Sequence, residues 1–189
     1  IAPEDKIAQL QRFGAVLEGR EKDPSLAQAS VLRTALNGTQ VPLRHGLDLL
    51  AAFTQDATKR RYANWAELMD YCALSANPVG RLVLHLFGRT EPEHLEQSDC
   101  ICTALQLINF WQDVAVDWKK ERIYIPLTDF PHFKVGEKDI AQGRWSPDWA
   151  ALMDFEIDRA TTLMKRGAPL VHALPGRLGW EIRLTMQGG

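Results

Sequence analysis

The sequence contains few cysteines, no long apolar run and no excess of charge of either sign. Three cysteines occur in 189 residues, and Cys72, Cys100 and Cys102 have neither the pairing of a disulfide framework nor the spacing of a structural zinc site. Apolar runs fall short of the ~20 residues that span a bilayer. A formal net charge of -2 excludes a dominant basic face for nucleic acid. We therefore expect a cytoplasmic protein in a reducing compartment, with peripheral contact at the inner face of the cell membrane left open.

Strand-like alternation is also missing, because no alternating run is long enough to build a sheet. Hydrophobic residues make up 46% of the chain and charged residues 24%, which is enough apolar surface for a sizeable core. Two short basic runs, at residues 59–61 and 119–122, are typical of solvated helix ends. We expect a single all-α domain over residues 1–189.

Proline, asparagine and glycine mark where the predicted helices begin and end. Asn64 with Glu67 is typical of a capping box that starts a helix. Asn77-Pro78 should kink or break that helix. The longest helix should run from about residue 93 to 118 and lead into an extended segment at residues 123–126. Other helices are predicted from Pro3, from Pro24 to Leu36, from Pro42 to about Ala57, from Val79 to Phe87, from Pro147 to Arg166 and from Arg177 onward.

Both ends of the sequence are unlike those of a complete domain. Ile1 is not an initiator methionine, and the chain stops at Gly189 without an evident helix cap. We expect a fragment that lacks N-terminal helices and the C-terminal end of its domain.

A stripe of polar residues runs along the longest predicted helix. At ~100° per residue, Gln106, Asn109, Asp113 and Asp117 fall within an arc of roughly 80°. Most neighbouring positions are apolar, which is typical of a buried helix. The stripe is therefore expected to face an interior cavity, although Asp113 and Asp117 could instead lie at a solvated helix end.

Two carboxylates one turn apart in a cavity would repel each other and lose hydration unless a cation joined them. Mg²⁺ suits this place, since it binds one or two carboxylates together with water and substrate phosphate oxygens. The spacing of Asp113 and Asp117 thus indicates a magnesium site, with Gln106 and Asn109 as neutral hydrogen-bonding partners.

Two segments resemble signatures of the squalene and phytoene synthase family. LINFWQDVAVD at residues 107–117, continuing to RIYIP at 122–126, is similar to the second aspartate-rich motif of that family. YC at residues 71–72, followed by ANPVG at 76–80, resembles its tyrosine-bearing helix. SANPVGR and NFWQD are most similar to the hydroxysqualene synthase branch, because phytoene synthases usually carry arginine in place of Gln112 and glycine-threonine in place of Asn77-Pro78.

The resemblance implies an isoprenoid synthase type helical bundle around a central cavity. It also implies a Mg²⁺-dependent enzyme that ionises presqualene diphosphate, allows the carbocation to rearrange, and captures it with water to give hydroxysqualene. Alternatives are a synthase that condenses two prenyl diphosphates, such as two farnesyl diphosphates, into presqualene diphosphate, squalene or phytoene, and a non-catalytic assembly protein with the same fold. The sequence leaves the oligomeric state open.

The family match also implies roles for individual residues. Asp113 and Asp117 are expected to bind metal, and Tyr71, Gln106 and Asn109 to act at the reacting centre and in the network of substrate and metal. The residues expected to contact the substrate diphosphate or close the site are Gln55, Asp56, Arg60, Tyr62, Arg122 and Tyr124. The candidates to line the apolar pocket are Tyr71, Leu84, Phe87, Leu105 and Ile108.

Several of these assignments have a plainer structural alternative. Tyr71 could be a core tyrosine, Asp56 with Arg60 a surface ion pair, and Arg122 with Tyr124 a packing and capping contact at the end of the helix. The family's first aspartate-rich motif is absent from these 189 residues and is expected just upstream of Ile1. We therefore expect little or no activity from the fragment alone.

Overall fold

A computed structural model describes residues 2–188 of the chain. In this range the chain forms α-helices and one short 3-10 helix, Pro24–Leu26, and contains no β-strand, as the sequence predicts. The α-helices are α1 Pro3–Glu18, α2 Ala27–Asn37, α3 Arg44–Thr58, α4 Trp65–Ser75, α5 Asn77–Leu86, α6 Pro92–Gln112, α7 Val114–Trp118, α8 Asp129–His132, α9 Glu137–Ala141, α10 Pro147–Gly167, α11 Leu170–Ala173 and α12 Gly176–Gly188. The expectations for Ile1 and Gly189 lie outside the described residues.

Local chemistry accounts for several helix ends. The Asn64 side chain accepts a hydrogen bond from the backbone N–H of Glu67 at 3.0 Å and starts α4. The Glu67 carboxylate returns to the N–H of Ala63 rather than that of Asn64, so the predicted capping box is shifted by one residue. At the end of α1, Gly19 has a left-handed φ of 76° and donates its N–H to the Val16 carbonyl.

Proline positions also decide where α4 gives way to α5. Pro78 is the second residue of α5, where its missing N–H costs no helical hydrogen bond. The break lies at Ala76, and the predicted interruption at Asn77-Pro78 is in fact the start of the next helix. The short helices α8, α9 and α11 were not predicted, since four or five residues are too few to show a helical period.

The predicted helix from about residue 93 to 118 is wrong as a single element. It divides at Asp113, whose φ and ψ of -98° and 11° leave the helical region. Aspartate and the β-branched Val114 and Val116 are poor helix formers. The Asp113 N–H nevertheless donates to the Asn109 carbonyl at 3.0 Å, and the Asp117 N–H to the Asp113 carbonyl at 2.8 Å. The four-residue spacing of the polar stripe therefore survives the break.

Helix α6 is the centre of the molecule, packed against α4, α5, α10 and α11. Its buried residues, among them Leu107 and Phe110, join the main core with Leu68 of α4 and Leu152 of α10. A second core cluster joins α6 to α11 and α12, and a third lies between α1, α2 and α3. This packing fixes the direction in which the remaining face of α6 points.

Candidate active site

Gln106 and Asn109 lie together in an open cleft of about 440 Å³. The cleft is formed by the break between α4 and α5, by the outer face of α6 and by the end of α12 at Gly188. Leu105 and Ile108, two of the predicted pocket residues, also line it. The cleft thus combines apolar side chains with the amide groups of Gln106, Asn109 and Gln112, a mixture that small-molecule sites also use.

Asp113 and Asp117 continue the four-residue backbone spacing from Asn109. Neither of them lines that cleft. Asp113 is exposed. The Asp117 side chain is only 13% exposed, and its Oδ1 lies 3.1 Å from the Lys120 ammonium nitrogen. The Asp117 carboxylate therefore already attracts a cation in this structure.

A second group of predicted residues lies around Asp56. The Tyr71 hydroxyl donates to Asp56 Oδ1 at 2.8 Å, and Arg122 Nη2 donates to the Asp56 carbonyl at 2.6 Å. Arg122 Nη1 lies 3.6 Å from Asp56 Oδ1 and donates to the Tyr124 hydroxyl at 3.2 Å. Asp56, Tyr71, Arg122 and Tyr124 thus form one continuous hydrogen-bonded and ionic network across α3, α4 and the segment after α7.

Aromatic rings pack around this network. Tyr124 stacks on Phe110 with ring centroids 3.7 Å apart and on Tyr62 at 5.6 Å, and Tyr62 lies 5.3 Å from Tyr71. Burial, together with neighbouring charges that include Asp56, raises the pKa of both Tyr62 and Tyr71 far above that of a free phenol. The Tyr62 and Tyr71 side chains therefore stay neutral, and with Tyr124 they pack as a cluster of aromatic rings on Phe110 of α6.

The two groups are joined through the backbone of α6 and α7. Phe110 follows Asn109 in α6 and carries the stack with Tyr124. After α7 the chain turns back, and the Arg122 N–H donates to the Asp117 carbonyl at 2.9 Å. One short stretch of chain, residues 110–124, thus carries the two carboxylates, the Arg122 guanidinium and two of the four rings, Phe110 and Tyr124.

Other predicted residues take different places. The Arg60 guanidinium makes only a long 3.4 Å contact with the Asp56 carbonyl, and the Gln55 side chain makes none of the hydrogen bonds of the Asp56 network. Leu84 is buried in the second core cluster, away from the rings. Phe87, expected to line a pocket, is 57% exposed at the end of α5.

Sequence reasoning missed two contributors. Phe110 is one of the many apolar residues of the longest predicted helix, and Arg61 belongs to the basic run at residues 59–61, so neither carries a sign of a role in the site. Arg61 instead pairs with Glu137, 76 residues further along the chain. A basic triplet gives no local sign of which member finds such a partner, so only the fold could reveal it.

The residues of the stripe fit a hard divalent cation. Carboxylates of Asp113 and Asp117, with amide oxygens of Gln106 and Asn109 nearby in register, are oxygen donors of the kind Mg²⁺ takes. Among residues 2–188 no group of three or more histidine, cysteine or acidic side chains is gathered to hold a metal. Two carboxylates would therefore need water and substrate phosphate oxygens to complete the metal's coordination.

Comparison with known proteins connects this arrangement to a family. The squalene/phytoene synthase family model matches residues 2–189. The chain belongs to the squalene/phytoene synthase family. The fold agrees with that assignment, since the crystal structure of squalene synthase HpnC from Alicyclobacillus acidocaldarius superposes with a TM-score of 0.82 at 33% sequence identity, covering 98% of this chain and 67% of the other.

Two curated relatives within the family are hydroxysqualene synthases. The hydroxysqualene synthase of Zymomonas mobilis is 44% identical over 188 residues, covering 97% of this chain and 62% of its own length. The hydroxysqualene synthase of Sinorhizobium fredii is 35% identical over 188 residues, covering 98% of this chain and 63% of its own length. The chain therefore spans less than two thirds of the curated relatives that it matches. Between residues 2 and 188, no helix has the length and apolar character needed to cross a bilayer.

Proposed function

We propose that the whole protein is a Mg²⁺-dependent hydroxysqualene synthase that converts presqualene diphosphate and water to hydroxysqualene and diphosphate. The observation that carries the proposal is the 44% identity to a hydroxysqualene synthase over 97% of this chain. The backbone hydrogen bonds from Asp113 to Asn109 and from Asp117 to Asp113 support it, because they keep the four-residue spacing of these positions across the break at Asp113.

The first step breaks the carbon–oxygen bond, and the electron pair leaves with the diphosphate. Asp113 and Asp117 would hold the metal, which when bound supplies positive charge that stabilises the leaving group. Gln106 and Asn109 orient the same end of the substrate by hydrogen bonds. Lys120, now 3.1 Å from Asp117, would exchange that contact for one to a phosphate oxygen.

The second step must protect a cyclopropylcarbinyl cation while it rearranges. The stacked faces of Tyr62, Tyr71, Phe110 and Tyr124 offer π-electron density and exclude water. The Tyr71 hydroxyl donates a hydrogen bond to Asp56 Oδ1 at 2.8 Å, which orients the phenol oxygen. Water then adds to the rearranged cation and loses a proton, which balances the overall reaction.

The test uses the whole protein with presqualene diphosphate and Mg²⁺, and without NADPH. We expect release of diphosphate and formation of hydroxysqualene. Asp113→Asn and Asp117→Asn should each lower kcat by about 100-fold, because each removes a negative charge from the metal site. Asp158→Asn, which removes an exposed carboxylate from α10, is the matched control and should leave kcat unchanged.

Product analysis separates the competing reactions. Squalene formed only with NADPH, or phytoene formed from a longer prenyl diphosphate, would contradict the proposed reaction while keeping the enzyme class. Retention of full turnover by both aspartate variants would contradict the metal assignment itself.

A further inference from the structure

The turn between Asp117 and Arg122, which we name the 118–122 turn, has an unfavourable backbone conformation. Glu121 has a φ of 60°, a left-handed value that residues other than glycine seldom adopt. Three local hydrogen bonds, each of 2.9 Å, support the turn: the N–H groups of Lys120 and Arg122 donate to the Asp117 carbonyl, and the Glu121 N–H donates to the Trp118 carbonyl. The last two close the end of α7 as in a helix that ends in a left-handed residue. Since such a conformation persists only when its surroundings hold it, a further support is expected.

Arg61 provides that support from the loop after α3. Its Nη1 donates to the Glu121 carbonyl and, at 3.0 Å, to the Arg60 carbonyl. Its guanidinium carbon lies 5.8 Å from the centre of the Trp118 ring. The side chain therefore contacts the 118–122 turn at both its backbone and its first side chain.

The other edge of the same guanidinium is fixed by Glu137. Nε and Nη2 of Arg61 donate to the two carboxylate oxygens at 2.8 and 2.9 Å, a two-pronged pairing that lysine cannot make. The hydrogen bond from Arg61 lowers the pKa of Glu137 below its usual value. Glu137 begins α9, which Ile140 anchors in the main core.

We propose that Arg61, held by Glu137, is a positioning residue that sets the distance between the Asp117 carboxylate and the Arg122 guanidinium. The inference rests on the proposed function, because it assigns the Arg61–Glu137 pair to the end of that site where metal and diphosphate would bind. Arg61 touches neither Asp117 nor the Asp56 carboxylate, so its action passes through the 118–122 turn. Loss of the Arg61–Glu137 pair would let the 118–122 turn relax and move the Asp117 carboxylate relative to the Arg122 guanidinium.

An ordinary surface ion pair is the competing explanation, since the Arg61 and Glu137 side chains are 27% and 42% exposed. Such a pair would leave the turn and the metal site unaffected when it is broken. Two variants of the whole protein separate these explanations. Arg61→Lys keeps the positive charge but loses the paired hydrogen bonds to Glu137, and Glu137→Gln removes the carboxylate that accepts them. Arg177→Lys is the matched control, because the Arg177 side chain is 91% exposed and pairs with Glu181 within α12.

Two readouts are independent of turnover. Amide hydrogen exchange at Lys120, Glu121 and Arg122 should become several times faster in Arg61→Lys and Glu137→Gln and stay unchanged in Arg177→Lys. Calorimetric titration of Mg²⁺ in the presence of inorganic diphosphate should show about 10-fold weaker binding in the same two variants, the size typical when a residue that orients a metal ligand is lost.

Unchanged exchange in the 118–122 turn, or unchanged Mg²⁺ binding with faster exchange, would overturn the inference. Absence of turnover in the unmodified whole protein would instead count against the proposed function, while the exchange and binding measurements would still decide the role of Arg61. Recovery of tight Mg²⁺ binding in the Arg61→Lys, Glu137→Gln double variant would also overturn the inference, because this variant cannot form the paired hydrogen bonds between Arg61 and Glu137.

Discussion

Glu156 is a fully buried carboxyl group on α10, next to Asp129 and Arg159. Arg159 Nη1 donates to Asp129 Oδ2 at 2.6 Å and to the Glu156 oxygens at 3.2 and 3.3 Å. One guanidinium thus faces two carboxyl groups, which leaves an uncompensated negative charge unless one of them binds a proton. Burial and a hydrogen bond with Asp129 raise the pKa of Glu156 to about 8.

This shift predicts how stability depends on pH. Between the ordinary value of 4.5 and about 8, folded Glu156 keeps a proton that the unfolded chain releases. The free energy of unfolding should therefore fall as the pH rises through that window, and the contribution should be fully present below it. Glu156→Gln removes this titration, so urea unfolding of the variant should show a smaller decline across the same window.

The matched control for that experiment is Asp154→Asn, which removes an exposed carboxylate from the same helix. Its decline with pH should parallel that of the unmodified protein. A Glu156→Gln variant with an unchanged decline would show that the buried proton is not held by Glu156.

At the residue scale, the sequence indicates which kinds of side chain belong to the candidate site better than it indicates which residues those side chains contact. Asp56 and Tyr71 were selected separately because they fall in segments that resemble the family, yet their 2.8 Å hydrogen bond joins residues on two helices. The Arg61 pair with Glu137 and the Arg159 cluster also depend on contacts distant in sequence. Such partners follow from helix packing, which no local pattern encodes.

At the scale of elements, α6 is placed by two glycines on its neighbours. A methyl group on Gly80 of α5 would overlap the side chains of Ser98 and Cys102. A methyl group on Gly167 of α10 would lie 2.7 Å from the Gln97 carbonyl oxygen, a backbone atom that cannot rotate away. These close approaches hold α6, and with it Gln106 and Asn109, against both neighbours.

Gly167→Ala should therefore destabilise the protein although alanine is the better helix former. The helical preference favours alanine by about 1 kcal/mol, whereas overpacking against a rigid backbone costs typically 1–3 kcal/mol. We expect the free energy of unfolding to fall by up to about 2 kcal/mol in urea titrations, the overpacking cost less the gain in helix propensity. The matched control is Gly14→Ala in α1, where the nearest atom, Leu50 Cδ1, is 3.5 Å away.

The control should be neutral or slightly stabilising, because it gains helix propensity without a clash. Equal effects of the two substitutions would mean that the approach of α10 to α6 is not limited by Gly167.

Helix ends were predictable where a single residue determines them, as Pro3 and Asn64 do. The division at Asp113 was not, because the apolar and polar periods continue through it and only the backbone angles change. The short α9 carries Glu137 into contact with Arg61 but contains too few residues for a recognisable period. Elements that depend on tertiary contacts therefore escaped prediction.

At the scale of the whole molecule, the candidate site is open on one side. Val79 lines the cleft with Gln106 and Asn109 and is 53% exposed, and Val116, next to Asp117, is 47% exposed. The relatives are longer, since this chain spans 62% and 63% of the two hydroxysqualene synthases. Apolar side chains beside a site for a carbocation need cover, because water would capture the cation before it rearranges.

We therefore predict that the 189-residue chain by itself has at most about one per cent of the whole protein's turnover, since loss of enclosure and small displacements of reacting groups cost on the order of 100-fold. Diphosphate release from presqualene diphosphate with Mg²⁺ measures both proteins at equal concentration, and the Asp113→Asn variant of the whole protein sets the background. Circular dichroism of the short chain should show the helical content of α1 to α12, so that lost activity is not mistaken for lost folding. Turnover by a folded short chain within a few-fold of the whole protein would mean that residues 1–189 already enclose the reaction.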